Sequence, residues 1–212
     1  MIIVAIDEIN FKKASDILDN LDSEKCMVKI GSVSFNSIGH DIISYASKKG
    51  FDIFLDLKLH DIPNTVKKSI EGLVSLPIRM LTIHTSGGKE MMMAAMEAVS
   101  GTEIKVVGVT ALTSLSNDDT NEIFQRTASA QVNAMLDLAE SAGIDGVVCS
   151  PHELELVSKR KSLFSITLIE LCSDSHEIFS EFCRIVQYSL KFWDFGSDFP
   201  KFHKFLIIFA EF

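Results

Sequence analysis

Asp56, Lys58 and Asp61 lie close together in one largely apolar stretch, Phe54-Leu55-Asp56-Leu57-Lys58-Leu59-His60-Asp61-Ile62-Pro63-Asn64-Thr65. The stretch opens as a buried strand would. Strand side chains alternate between faces, so Asp56 and Lys58 share one face while Leu55 and Leu57 share the other. Burying charge is costly unless it is paired, so two carboxylates and an ammonium at the end of an apolar strand point to chemistry before packing. An ammonium fixed beside carboxylates can stabilise negative charge as it develops and then supply a proton. The competing reading is a surface strand end with a fortuitous salt bridge. The apolar neighbours Phe54, Leu55, Leu57 and Ile62 weigh against it. Pro63 stops the strand, and Asn64 or Thr65 is placed to cap a following helix.

Other residues gain weight from their positions. Lys29 sits between Val28 and Ile30 at the end of a short apolar run, where a burial-tolerant role beside carboxylates fits. Asp7 follows Ile2-Ile3-Val4-Ala5-Ile6 and would pass as a turn residue if it stood alone. His84, followed by Thr85-Ser86-Gly87-Gly88, fits an anion-binding helix N-terminus or, equally, a structural turn with a hydrogen-bonded core histidine. His60 carries the same ambiguity, and a role supporting the reacting groups suits it better. Met91, Met92 and Met93 read as core and surface filler. No G-x-G-x-x-G, Walker or H-E-x-x-H pattern is present, so neither a nucleotide cofactor nor zinc chemistry is indicated.

The elements that must hold these residues alternate. Short apolar runs at Ile2–Ile6, Met27–Ile30, Phe54–Leu59, Met80–His84, Ile104–Thr110 and Gly146–Cys149 read as strands. Helical spacing follows each: Phe11 to Leu21; Phe35 through Ile38, Ile42, Ile43 and Ala46 to a stop at Gly50; Val66 to Val74; Met91 to Met96; Val132 to Ala139; and about Pro151 to Lys159. A polar loop follows Leu112-Thr113-Ser114. Buried strands joined by helical crossovers imply a parallel sheet. Closed as a TIM (β/α)8 barrel, that sheet gathers Asp7, Lys29, Asp56, Lys58, His84 and Thr113 at the C-terminal ends of its strands, where barrels of this kind carry their sites. A doubly wound open sheet is the alternative, but it would spread those residues along a line.

Composition narrows the field further. The formal net charge of −9, with no basic run of five or more residues, argues against a nucleic-acid surface. Cys26, Cys149, Cys172 and Cys183 are scattered without a C-x-x-C pair, as expected of reduced thiols. The opening lacks the basic start and cleavage site of a signal peptide, and no uninterrupted apolar segment reaches membrane-spanning length. The expectation is a soluble, cytoplasmic protein.

Past about residue 160 the character of the sequence changes. Leu163–Leu168 fits a seventh strand, but no clear eighth βα unit follows. Ten of the fifteen Phe lie from Phe164 onward, whereas Gly196 alone of eleven Gly lies beyond Gly146. The last loops of a barrel usually need Gly for tight turns and close backbone approach, and the tail supplies almost none.

The run Asp56-Leu57-Lys58-Leu59-His60-Asp61-Ile62-Pro63-Asn64-Thr65 resembles the signature of the orotidine 5′-monophosphate decarboxylases, in its bacterial form. The resemblance extends to Val4-Ala5-Ile6-Asp7, Val28-Lys29-Ile30-Gly31, His84-Thr85-Ser86-Gly87-Gly88, Val109-Thr110-Ala111-Leu112-Thr113-Ser114 and Asp145-Gly146-Val147-Val148-Cys149-Ser150, within residues 1–167. It implies a (β/α)8 barrel that acts as a homodimer, without metal or cofactor, on orotidine 5′-monophosphate in UMP synthesis. Lys58 would be the proton donor to C6 of the pyrimidine. Lys29, Asp56, Lys58 and Asp61 would form an alternating charged network, with Asp61 reaching into the neighbouring subunit's site. Asp7 would hold the ribose, Thr113 would lie by the pyrimidine, and Ile62 and Thr65 would join Asp61 in binding substrate. Two rivals remain: a Mg²⁺-dependent sugar-phosphate decarboxylase or aldolase sharing D-x-K-x-x-D, and a nucleotide-binding barrel that has lost turnover.

The resemblance stops abruptly. The family continues with T-P-G-I-R after the seventh strand and G-R-P after the eighth, and these loops grip the phosphate. Here Ile166-Thr167 leads into Leu168-Ile169-Glu170, and Gly196-Ser197-Asp198-Phe199 leads into Pro200-Lys201. Arg184 is the one arginine of the tail, and nothing around it matches. No phosphate-binding residue is therefore assigned. The expected organisation is a barrel body at 1–167 and a divergent segment at 168–212, with the compositional break implying a shifted reading frame near Thr167.

Overall fold

The computed structural model describes residues 1–112, 114–172 and 204–211, with 168–172 and 204–211 described by backbone alone. Seven parallel strands curl into a barrel: β1 (Ile2–Ile6), β2 (Cys26–Gly31), β3 (Ile53–Leu59), β4 (Met80–His84), β5 (Lys105–Val109), β6 (Gly146–Cys149) and β7 (Phe164–Cys172). An eighth strand, β8 (Lys204–Glu211), completes the ring between β7 and β1 and runs antiparallel to both. The helices are α1 (Phe11–Asp19), α2 (Ser32–Ile38), α3 (His40–Lys48), α4 (Pro63–Leu73), α5 (Lys89–Ala98), α6 (Asn117–Phe124), α7 (Ala128–Ala142) and α8 (Leu154–Ser158).

Strand alternation divides the core in two. Ile6, Val28, Ile30, Ile53, Leu55, Leu81, Ile83, Val106 and Val147 face outward and pack with helix residues such as Leu18, Ile43, Ile70 and Leu136. The opposite parity forms a separate cluster of Ile3, Met27, Phe54, Met80, Val107, Val109, Val148 and Ile166, one or two from each of the seven parallel strands. This is the barrel interior. Two residues further along the same face, Ile3 gives way to Ala5, Met27 to Lys29, Phe54 to Asp56 and Met80 to Thr82. The interior therefore changes from apolar to ionic along the strand direction, and the ionic layer lies at the C-terminal end.

Local differences from expectation have local causes. The helix expected to run through Phe35–Ala46 breaks at Gly39, whose φ of 75° is readily adopted by glycine and ends α2 before α3 begins. The expected polar loop after Ser114 holds α6, started by a capping box in which Ser116 Oγ accepts the Asp119 N–H and the Asp119 carboxylate accepts the Ser116 N–H. Neither Asn64 nor Thr65 caps α4. Pro63 begins it from Ile62, because its fixed φ and missing N–H suit the first helical turn.

The last strands depart most. β7 extends past Leu168 to Cys172, paired with β8 along its whole length from Ser165↔Glu211 to Cys172↔Lys204. The barrel thus closes through an antiparallel strand, where the sequence shows no clear eighth βα unit.

Candidate active site

Four charged residues form a chain across the C-terminal mouth of the barrel. Lys29 Nζ lies 3.4 Å from Asp7 Oδ1 on the turn after β1 and 3.4 Å from Asp56 Oδ2 on β3. Lys58 Nζ donates to the same Asp56 Oδ2 at 2.6 Å. Negative and positive charges alternate through Asp7, Lys29, Asp56 and Lys58, so each inner group has an opposite charge on both sides. Exposure grades along the chain: the side chains of Lys29 and Asp56 are each 7% exposed, against 34% for Lys58 and 42% for Asp7. The inner pair is held by the barrel and the outer pair opens to whatever enters the mouth.

The backbone supports this placement. Gly31 leaves room for Asp7 and Lys29, since a Cβ there would stand 3.0 Å from Asp7 Oδ1 and 3.3 Å from Lys29 Nζ, close enough to press on both side-chain ends. The turn carrying Asp7 is pinned by the buried Ser34 hydroxyl, which accepts the Glu8 N–H at 2.9 Å and lies 2.7 Å from the Ile6 carbonyl. Lys58 itself has φ of 51°, a left-handed conformation that costs a residue with a side chain free energy and is typical of functional positions. The β3–β4 register shifts at this point, between Leu55 and Leu59.

Thr82 on β4 joins the cluster although its chemistry was not anticipated. Its hydroxyl donates to Asp56 Oδ1 at 2.9 Å and accepts the Lys58 N–H at 2.8 Å. The signal was present in the sequence: in Met80-Leu81-Thr82-Ile83-His84 it is, with His84, a polar residue that period-two alternation places on the same face as Met80.

Burial by itself would raise the Asp56 carboxyl pKa. The Lys29 and Lys58 ammonium groups, helped by hydrogen bonds from Lys58 and Thr82, outweigh it and hold the group below its ordinary value. Asp56 is therefore ionised at neutral pH despite its surroundings. Burial, with His60 and Lys58 close by, lowers the pKa of His84, leaving it neutral at the same pH. Its ring lies 5.3 Å from that of His60. The Thr85–Gly87 segment after it is a single 3-10 turn and α5 starts only at Lys89.

The remaining expected residues are not gathered in. Asp61, Ile62 and Thr65 are exposed, and the Asp61 carboxylate accepts the N–H of its neighbour Ile62 at 2.6 Å. Among the described residues no ion pair joins Asp61 to Lys58. Thr113 lies outside the described residues. Among those described, no group of His, Cys, Asp and Glu is arranged to hold a metal ion, and no helix is long and apolar enough to cross a membrane.

A model of the family described as orotidine 5′-phosphate decarboxylase / HUMPS matches residues 1–173. An orotidine 5′-phosphate decarboxylase of Saccharophagus degradans is 42% identical over 156 residues, which are 72% of this chain and 66% of that protein. The chain thus spans about two thirds of that relative's length. Among solved structures, an uncharacterized conserved protein from Geobacillus kaustophilus superposes with a TM-score of 0.73 at 33% identity, covering 78% of this chain and 81% of that one. An orotidine 5′-phosphate decarboxylase from Lactobacillus acidophilus superposes with a TM-score of 0.70 at 35% identity, covering 76% and 77%.

Proposed function

The chain belongs to the orotidine 5′-phosphate decarboxylase / HUMPS family, and on that premise we propose that it converts orotidine 5′-monophosphate to UMP in pyrimidine synthesis, in the cytoplasm. The observation that carries the reading is the ammonium of Lys58, held 2.6 Å from a buried, ionised Asp56 at the mouth of the barrel.

In this scheme the substrate pyrimidine lies over Lys58 with its carboxylate toward Asp56. The bond from C6 to the carboxylate breaks, CO₂ leaves, and the electron pair stays on C6 as a vinyl carbanion that the ring stabilises poorly. The Lys58 ammonium stabilises that charge as it forms and gives C6 a proton, becoming an amine that regains its proton from water. Asp56 repels the substrate carboxylate before reaction more than it repels the departing, neutral CO₂, so its charge favours the transition state over the bound substrate. Lys29 keeps Asp56 ionised and aimed, and Asp7 takes the ribose hydroxyls, with Thr113 by the pyrimidine. All of the charge and the proton come from side chains, so the scheme calls for no metal or cofactor.

Asp61, Ile62 and Thr65 complete the site of a second subunit in a homodimer. Their exposure in the single chain supports this, since all three lie around the start of α4 and are turned to solvent.

The test is an absorbance assay of orotidine 5′-monophosphate on the full chain, with and without Mg²⁺, beside Lys58→Ala. Metal-independent turnover that Lys58→Ala abolishes supports the scheme, and near-normal decarboxylation by the variant sinks it. A second reading, nucleotide binding without turnover, is favoured by one observation: β7 runs straight through the position where the family's phosphate turn begins. UMP binding without loss of orotidine 5′-monophosphate would select it.

A further inference from the structure

We propose that Thr82 is a positioning residue for this reaction, its hydroxyl fixing at once which way the Asp56 carboxylate faces and how the backbone turns at Lys58. The kinetic side of the proposal rests on the decarboxylation proposed above; the geometric side does not.

The strand pairing creates the need. β3 and β4 pair at Phe54↔Met80 and Leu55↔Leu81, and next at Leu59↔Ile83. Thr82 therefore stands alone opposite Asp56, Leu57 and Lys58. Extra residues on one strand bend it and remove ladder hydrogen bonds. Lys58 sits in that bend at φ of 51°, and its N–H must find another acceptor, because a buried backbone donor is seldom left unpaired. The Thr82 hydroxyl oxygen provides it at 2.8 Å.

Chemistry then fixes both directions. A backbone N–H can only donate, so Thr82 Oγ1 accepts from Lys58. An ionised carboxylate can only accept, so the single Thr82 hydroxyl proton goes to Asp56 Oδ1, at 2.9 Å. With Oδ1 turned toward Thr82, Oδ2 is the oxygen that faces both ammonium groups, Lys58 at 2.6 Å and Lys29 at 3.4 Å. One hydroxyl thus ties the strained backbone of the proton donor to the orientation of its counter-charge. Thr82 is fully buried, so bulk water is not at hand to replace it.

The experiment compares Thr82→Val, which keeps the β-branched shape but loses the hydroxyl, with Thr82→Ser, which keeps the hydroxyl, and Thr82→Ala. The Val and Ala variants are expected to lose about 10²-fold in kcat, as misplaced reacting groups do, with KM within about threefold. The Ser variant is expected to stay within about threefold of the parent in both. Independently of turnover, ¹³C-carboxyl NMR of Asp56 is expected to show its titration moving up in the Val and Ala variants and staying in place in Ser. A packing role alone would lower the melting temperature of the variants and leave that titration where it is, and this result overturns the proposal. Should Val fail to fold, the Ser and Ala pair makes the same comparison. Absence of turnover in the parent chain defeats the proposed reaction, yet the carboxyl titration still decides the role of Thr82.

Discussion

Asp56→Asn removes one charge from the centre of the site while changing the side chain's size very little, which makes it the sharpest probe of the ionic chain. For an effective dielectric constant near 20, attraction to Lys58 at 2.6 Å is about 6 kcal/mol and to Lys29 at 3.4 Å about 5 kcal/mol, before desolvation. Desolvation of the ions offsets much of this, and measured losses on breaking one side of a buried pair are about 3–5 kcal/mol. Lys58 is about a third exposed and keeps some hydration once its partner is gone. Asn can also still accept from Thr82. The low end, about 3 kcal/mol, is therefore expected, carried chiefly by Lys29, which is left buried beside Asp7 alone.

In urea at neutral pH this corresponds to a fall of about 1 M or more in the unfolding midpoint. The pH dependence adds a second constraint. Because the folded-state pKa of Asp56 lies below its ordinary value of 3.8, the charge contributes its full stability above that value and loses it as pH falls through the folded pKa. The gap between parent and variant should be flat around neutrality and close as the pH drops below 3.8. Turnover of the variant should fall by about 10²–10³-fold, as for loss of one preorganised electrostatic contact. An unchanged urea midpoint at neutral pH, or a stability gap that persists undiminished to about pH 2, would refute the view that Asp56 is an ionised, lysine-paired group.

Three further outcomes are expected. Lys58→Ala and Asp61→Asn should each be inactive alone, but an equal mixture allowed to exchange subunits should recover about one quarter of the parent turnover, since a mixed dimer holds one site with native Lys58 and native Asp61; no recovery removes Asp61 from the partner's site. Gly31→Ala should raise KM severalfold with little change in the fold, because the added carbon presses on Asp7 Oδ1 at 3.0 Å and Lys29 Nζ at 3.3 Å; an unchanged KM means that Asp7 does not hold the substrate. Translating the gene in its other frames beyond Thr167 should reveal P-G-I-R and G-R-P in one of them, and their absence from both disposes of the frame-shift explanation.

Much of the site was legible because charge in an apolar strand is conspicuous. Asp56 and Lys58 share a strand face by parity alone, and the same parity leads from Met27 to Lys29 and from Met80 to Thr82. What parity cannot express is a departure from it. The left-handed backbone at Lys58 arises where β3 carries extra residues opposite β4, and nothing within residues 54–59 announces that the partner strand is short there. Gly39 interrupts an apolar spacing that otherwise continues smoothly from Phe35 to Ala46, so the break is a matter of one φ angle. The start of α6 was readable after all: Ser116 and Asp119 stand three residues apart, as a capping box requires, although the polar run around them reads as loop. The direction of β8 was not readable. A strand's direction depends on which two edges it must satisfy, and those edges belong to β1 and β7, far away in sequence.

That direction bears on the chemistry. In a barrel of eight βα units the last strand does two jobs, since it pairs the open edges of its neighbours and then delivers a loop to the C-terminal face, where phosphate is commonly bound. Here the jobs come apart. The β8 backbone pairs with both edges, but it enters at Lys204, opposite the upper end of β7, and reaches Glu211 opposite Ser165 at the other end. β8 thus ends at the face remote from Asp7, Lys29, Asp56 and Lys58. The ionic chain is set by β1 to β4 and needs nothing from β8, so the groups that break and protonate the bond can be in place without the groups that grip a remote phosphate. Binding energy from such a remote group is what usually drives reacting atoms into position. The ionic chain and any phosphate contact are therefore separable in experiment, and single-turnover decarboxylation set beside substrate affinity would report the proposed chemical step apart from substrate capture.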